Sequence, residues 1–149
     1  MNHEVIVLQG HSATNWKKQI KELLSGFSEQ VSEQIHAGAY DEVLNETFDS
    51  PHAYFCIAFN EEEKVATGMY LGTLMPTAMH RRLYIDAVVV NRKFRRQGIL
   101  TRILIPHMQK LAAELGCRAI DLTSSKPSAQ SAYIGAGFES PTTAFRLKI

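Results

Sequence analysis

Asp86 stands inside an apolar run, Ile85-Asp86-Ala87-Val88-Val89-Val90. A carboxylate among such neighbours is costly to bury unless it is paired. It is therefore a general base acting directly or through water, a charge that orients a cationic substrate, or one half of a salt bridge or cap within a sheet. His80, just before Arg81 and Arg82, and His52 are further bases by residue type, and the reading favoured for each is a surface histidine. His107 falls on an apolar helical stripe and reads as a core or boundary residue. Directly after the apolar run come the cations Arg92, Lys93, Arg95 and Arg96, then Gly98. A cluster of guanidinium groups beside a glycine suits an anion, because each makes charge-assisted hydrogen bonds while the glycine lets the backbone come close.

The elements around these residues must present them. The β-branched run Ile85 to Val90 reads as a buried strand. After Gly98, the residues Ile99, Ile103, His107, Leu111 and Leu115 recur every four positions, with Leu104, Met108 and Ala112 beside them, which predicts a helix. Gly116 falls where a left-handed C-terminal cap would sit, and Pro106 predicts a kink within the helix. A strand, a basic turn and a helix N-terminus together form an anion cradle, since the first helical amides lack internal partners and carry partial positive charge. Gly98 is expected to resist bulk because side-chain volume would obstruct a phosphate, not because the fold needs glycine. The three-glycine dinucleotide fingerprint and the phosphate-loop pattern are both absent. On physical grounds alone, an ordinary strand–helix connection on a solvated basic surface remains open beside the cradle.

Two stretches resemble the GNAT family of N-acetyltransferases. Arg95-Arg96-Gln97-Gly98-Ile99-Leu100 is similar to the family's pyrophosphate loop, Arg/Gln-x-x-Gly-x-Gly/Ala, and YIDAVVV before it is similar to the fourth strand, often I-E-D-V-V-V. Ser128 to Phe138 resembles the second signature, a short helix with Tyr-x-x-x-Gly-Phe spacing, met here by Tyr133, Gly137 and Phe138. The resemblance runs from Tyr54 to Phe138 and is weak before that. Leu100 departs from the pattern, where the family has Gly or Ala, and is expected to shift the helix start. Ala87 replaces the aspartate of the family's I-E-D.

The resemblance implies acetyl-CoA as acyl donor, with strands four and five splayed to hold its pantetheine arm. It implies that Val88, Val89 and Val90 offer backbone to the thioester and pantetheine. It also implies that Arg95, Arg96, Gln97, Gly98, Ile99, Leu100 and Thr101 cradle the pyrophosphate, with Ser128 near the adenine or pantetheine end. Capping its helix needs no ligand and is the favoured reading of Ser128. Tyr133 matches the tyrosine that protonates the departing sulfur, and its plainer role is a packed aromatic.

The chain has 149 residues, is 45% hydrophobic and carries a net charge of +1. That suits one domain over residues 1–149 and argues against general nucleic-acid binding. Cys56 and Cys117 lie in apolar segments and read as small buried hydrophobes in a reducing compartment. No Cys or His pair has zinc-ligand spacing, so no metal is expected, and no run is long enough to span a membrane. A cytoplasmic protein is expected.

In chain order the pattern predicts a strand at Glu4 to Leu8 and a helix over about Asn15 to Phe27, capped by Ser12 or Thr14. Helical pieces follow around Val31 to Phe48, interrupted by Gly38 and ended by Pro51. A hairpin then joins Tyr54–Phe59 to Val65–Leu74. After the strand–turn–helix unit come a strand at Arg118 to Leu122, a helix from about Ser128 and an alternating terminal strand, Ala144 to Ile149. The fold class is α/β, a GNAT-like mixed sheet of about seven strands with about four helices.

The expected activity is transfer of an acetyl group from acetyl-CoA to a primary amine of a small molecule or protein. The alternatives are a non-catalytic acyl-CoA-binding regulatory domain on the same scaffold, and a nucleotide-binding module unrelated to CoA. The acceptor is unspecified: the acidic tract Asp41, Glu42, Glu46 and Asp49 would suit a cationic amine or a solvated helix face. Oligomeric state is left open, a homodimer included.

Overall fold

The computed structural model describes residues 2–140 and 144–149. Five strands, β1 (His3–Leu8), β2 (Ala53–Asn60), β3 (Val65–Pro76), β4 (Arg81–Val90) and β5 (Ala119–Leu122), form one sheet in that order. β1 to β4 pair antiparallel and β5 joins β4 in parallel, so the sheet is mixed as expected. The β2–β3 turn closes locally: Asn60 Oδ1 accepts from the amides of Glu62 and Glu63 at 3.0 and 3.1 Å.

Strand alternation sends side chains to two cores. Phe55, Ile57 and Met69 pack with Ile20, Leu23, Leu24, Leu44 and Phe48 from the N-terminal helices α1 (His11–Thr14), α2 (Lys17–Leu24), α3 (Glu29–His36) and α4 (Tyr40–Asp49). Cys56, Ala58 and Tyr70 face the other way, onto Leu104, Ile105, Met108 and Leu111 of the segment after Gly98. Fully burying one such aliphatic side chain contributes about 1.5–3 kcal/mol, so these two stripes hold the helices on the sheet.

The expected strand and helix counts are corrected. The described residues hold five strands and six α-helices. Residues 144–149 alternate in sequence but form no strand, and Phe145, Leu147 and Ile149 are exposed. Alternation marks two faces, but a strand exists only where a neighbour satisfies its backbone. The N-terminal helical stretch breaks more often than its periodicity suggests. Neither Ser12 nor Thr14 caps the long helix, since both lie inside α1, and α2 begins only after Trp16. Ser28 caps α3, its hydroxyl accepting from Val31 N at 3.1 Å, and Gly38, at φ 76°, divides α3 from α4 as the sequence implied.

The segment after Gly98 starts as a π-helical turn, Ile99–Leu104, and continues as α5 (Ile105–Glu114). Pro106 lies in the first turn of α5. Its missing N–H removes one α-type bond, and the wider turn just before it, with Ile105 N–H on Leu100 O, takes up the mismatch. The expected kink is thus a change of helix type. Gly116, at φ 71°, closes α5: its N–H reaches Ala113 O and that of Cys117 reaches Ala112 O. The last helix is α6 (Pro127–Gly135).

One irregularity shapes β4. Leu71 pairs with Ala87 and Gly72 with Ile85, so Asp86 has no cross-strand partner and forms a β-bulge. The extra residue reverses the strand's parity. Leu83 and Ile85 face the α5 core, whereas Ala87 and Val89 face the α2 core.

Candidate active site

β4 and β5 pair only from Arg82↔Ala119 to Ile85↔Leu122. Beyond that, β4 continues to Val90 while the other chain turns away through Thr123–Lys126 into α6. The gap between them is a cleft of about 800 Å³. Asp86, Val88, Val89, Val90, Arg95, Arg96, Gly98, Ile99, Leu100, Thr101, Ser128 and Tyr133 all line it. Gln97 does not: it is exposed and its amide reaches back to Lys93 O at 3.5 Å.

The valines differ in what they offer. Asn91 N–H binds Thr67 O on β3 at 2.7 Å. Backbone direction alternates along a strand, so Val90 and Val88 turn their peptide groups away from β3, into the gap, while Val89 turns its own toward β3. The contact of Arg95 Nε with Val90 O at 3.4 Å agrees with this. An unpaired strand edge of this kind can take an extended, amide-bearing ligand as if it were a further strand.

At the end of the gap the chain tightens. Asn91 opens a 3-10 turn over Arg92–Phe94, accepting from Lys93 N at 3.2 Å. Arg96 and Gly98 are both left-handed, at φ 65° and 81°. The amides that open the π-helical turn have no partner further back in it. With Arg95 and Arg96 they make this end of the cleft positive, and Lys126 adds a further cation to the lining. A Cβ on Gly98 would meet Arg102 Cδ at 3.0 Å, and its φ strains any other residue. The fold therefore needs this glycine itself, which corrects the expectation that only a ligand would. Leu100 packs partly against the α5 core instead of filling the turn.

Tyr133 lies on α6 with its ring at 5.4 Å from that of Phe138, and is 6% exposed. Among the described residues its hydroxyl makes no hydrogen bond, and burial raises its pKa, so the phenol stays protonated. Asp86 is not buried as its neighbours implied, for the bulge places it open to solvent on the cleft wall. Partial desolvation still raises its carboxyl pKa, opposed by a hydrogen bond donated by Thr73 Oγ1 to Oδ2. Ser128 caps nothing: Lys126 occupies the cap position of α6, with no side-chain bond.

The histidines lie elsewhere. His80 belongs to the β3–β4 turn, where Thr77 Oγ1 donates to its carbonyl at 2.8 Å, and His52 O accepts from Leu74 N. His107 bonds Tyr70 O–H through Nδ1 at 2.7 Å beneath the sheet, and burial lowers its pKa. Cys56 is fully buried, Cys117 only partly. In the acidic tract, Asp41 pairs with Lys21 and Lys17 at 2.7 and 3.8 Å.

Sequence reasoning missed three contributors. Gly26, Phe27 and Ser28 bring the α2–α3 loop onto the cleft. Thr123 to Lys126 form its other lip; a polar loop beyond the carboxyl end of a parallel strand was the available signal. Thr73 and Tyr40 adjoin Asp86, and no local pattern could reveal them. Burial raises the Tyr40 pKa, with the Asp86 charge adding to it.

The structure is that of an α/β protein whose mixed sheet opens beside a cationic turn. A sequence model of the Acetyltransferase (GNAT) family matches residues 18–138, and the chain belongs to that family. No curated protein matches the chain. Its fold is shared with a transcriptional regulator from Bacillus halodurans C-125 (TM-score 0.78, 20% identity, 98% of this chain and 100% of that one). It is shared also with the aminoglycoside acetyltransferase HMB0005 from an uncultured soil metagenomic sample (0.76, 19%, 100% and 99%). A third is AAC(6')-Iy, solved with a bisubstrate analog of CoA and acetylneamine (0.71, 17%, 100% and 99%).

Proposed function

We propose that this protein transfers an acetyl group from acetyl-CoA to a primary amine, by direct attack within a ternary complex. One observation carries the reading: the cleft opened by the β4–β5 split runs onto the Arg95–Gly98 turn, and both Asp86 and Tyr133 line it. The residues fit the donor. Arg95, Arg96, Lys126 and the free amides suit its phosphates, and the gap-facing peptides of Val88 and Val90 suit the amide-bearing pantetheine.

The chemistry assigns one proton to each side chain. The amine nitrogen bonds to the thioester carbonyl carbon and the carbon–sulfur bond breaks. Asp86 takes the proton the amine loses, directly or through water, and Tyr133 supplies one to the departing sulfur. Both shifts suit these roles. A raised carboxyl pKa makes Asp86 a stronger base, and a raised phenol pKa keeps Tyr133 protonated. The negative charge on Asp86 also favours an acceptor that arrives as an ammonium.

Thermal shift with acetyl-CoA, CoA and AMP tests the donor, and thiol release across an amine panel tests transfer. Protection should follow CoA above AMP, because pantetheine adds contacts to those of the phosphates. No stabilisation at millimolar CoA would overturn the reading. Tight CoA binding without turnover on any amine would leave a CoA-binding domain without the transferase activity.

A further inference from the structure

The bulge that frees Asp86 from cross-strand pairing also aims it at a neighbour. Thr73 on β3 pairs with Tyr84, two residues before Asp86, so Thr73 and Asp86 are diagonal neighbours on one face of the sheet. Thr73 Oγ1 donates to Asp86 Oδ2, and among the described residues Oδ1 accepts no hydrogen bond. Thr73 does not line the cleft, whereas Asp86 does. Resting on the transferase reading above, we propose that Thr73 is a positioning residue, holding the Asp86 carboxylate ionised and in one rotamer with its second oxygen available to the attacking amine.

The physics has three parts. A carboxylate without a partner on a bulge turns freely about its side-chain torsions, and each hydrogen bond to one oxygen restricts that freedom. A donor to the charged form favours ionisation, offsetting the desolvation that raises the carboxyl pKa. The surroundings supply no competing fixed partner: Asp86 belongs to no ion pair among the described residues. The titratable groups around it are Tyr40 from α4, whose phenol is raised by burial and then by the Asp86 charge, and Tyr84 beside it on β4. The same cleft is lined by Tyr133 from α6, Arg95 and Arg96 from the basic turn, and Lys126 from the loop after β5. None of the last four is hydrogen-bonded to Asp86.

Thr73→Val keeps the shape and removes the donor; Thr73→Ser keeps the donor. Two readouts are taken on wild type and both variants: the Asp86 carboxyl titration by carbon-13 NMR, which needs no acceptor, and the acid limb of kcat/KM. Thr73→Val should raise both by roughly half to one pH unit, the low end for a solvent-open bond to a charge. Thr73→Ser should restore both, and CoA affinity should not move in either. An Asp86 titration identical in wild type and Thr73→Val would overturn the assignment. A shift in the NMR titration without one in the acid limb would show that Asp86 is not the base, which overturns the proposal while leaving CoA-dependent transfer standing. Failure of transfer itself would appear as no thiol release from wild type with any amine.

Discussion

Replacing Tyr133 by Phe removes one oxygen and leaves the ring. The ring supplies the packing: it is buried against Phe138 and belongs to the core under α5 and α6. The hydroxyl supplies none, since it bonds to no described residue. Stability should therefore change by no more than about 0.5 kcal/mol, roughly 2 °C in Tm for a chain of this length. CoA affinity should change as little, because the cleft wall keeps its shape. Turnover should behave differently. If the phenol protonates the departing sulfur, its loss costs about 10²-fold or more, at least ~2.7 kcal/mol on the barrier.

The assay is thiol release at saturating acetyl-CoA, with a viscosity control showing that chemistry limits the rate. A donor whose leaving thiol has a lower pKa needs the proton less, so the penalty should shrink with it. That dependence separates acid catalysis from a misplaced thioester, which would penalise all donors alike. Wild-type turnover by Tyr133→Phe with acetyl-CoA, chemistry being limiting, would return Tyr133 to a packing role.

Two further substitutions separate fold from ligand. Gly98→Ala should cost about 1–2 kcal/mol of stability for a side chain at positive φ, seen by denaturant melting. It should also weaken CoA binding by more than Arg95→Ala does, because it moves Arg102 and the turn together; unchanged CoA affinity would place the phosphates elsewhere. Asp86→Asn should lower turnover, spare CoA affinity and raise Tm near pH 7. The sign follows from the raised native pKa: proton binding by Asp86 stabilises the fold below about pH 3.9, and that contribution is lost as pH rises through the native value. The gain in Tm should thus vanish at low pH, and a Tm loss at pH 7 would mean that Asp86 holds the sheet together.

What was legible in the sequence was local. The hairpin of β2 and β3 follows from two apolar runs flanking Asn60 to Lys64, and the α3–α4 break follows from Gly38. The turn after β4 follows from a strand, cations and a glycine in succession. What was not legible depends on partners distant in sequence. Residues 144–149 alternate like a strand yet pair with no strand among the described residues, and the four-residue α1 carries no periodicity to read. The fold's need for Gly98 was also hidden, because the atoms its Cβ would strike belong to Arg102, one helical turn on.

The bulge at Asp86 shows why a site is harder to read than a fold. The continuous apolar run from Ile85 to Val90 predicts a buried strand, and with Asp86 inside it a costly buried charge. Both inferences assume one residue on β4 for each on β3. The pairing of Leu71 with Ala87 and Gly72 with Ile85 breaks that assumption at one position. The break turns the even-numbered valine peptides toward the gap, brings Thr73 within bonding reach of the carboxylate and opens Asp86 to the cleft. A single extra residue thus converts an expensive core charge into an accessible one. Deleting that residue should restore alternation and close the register with the core kept, and if Asp86 is the base, thiol release should fall while CoA affinity holds.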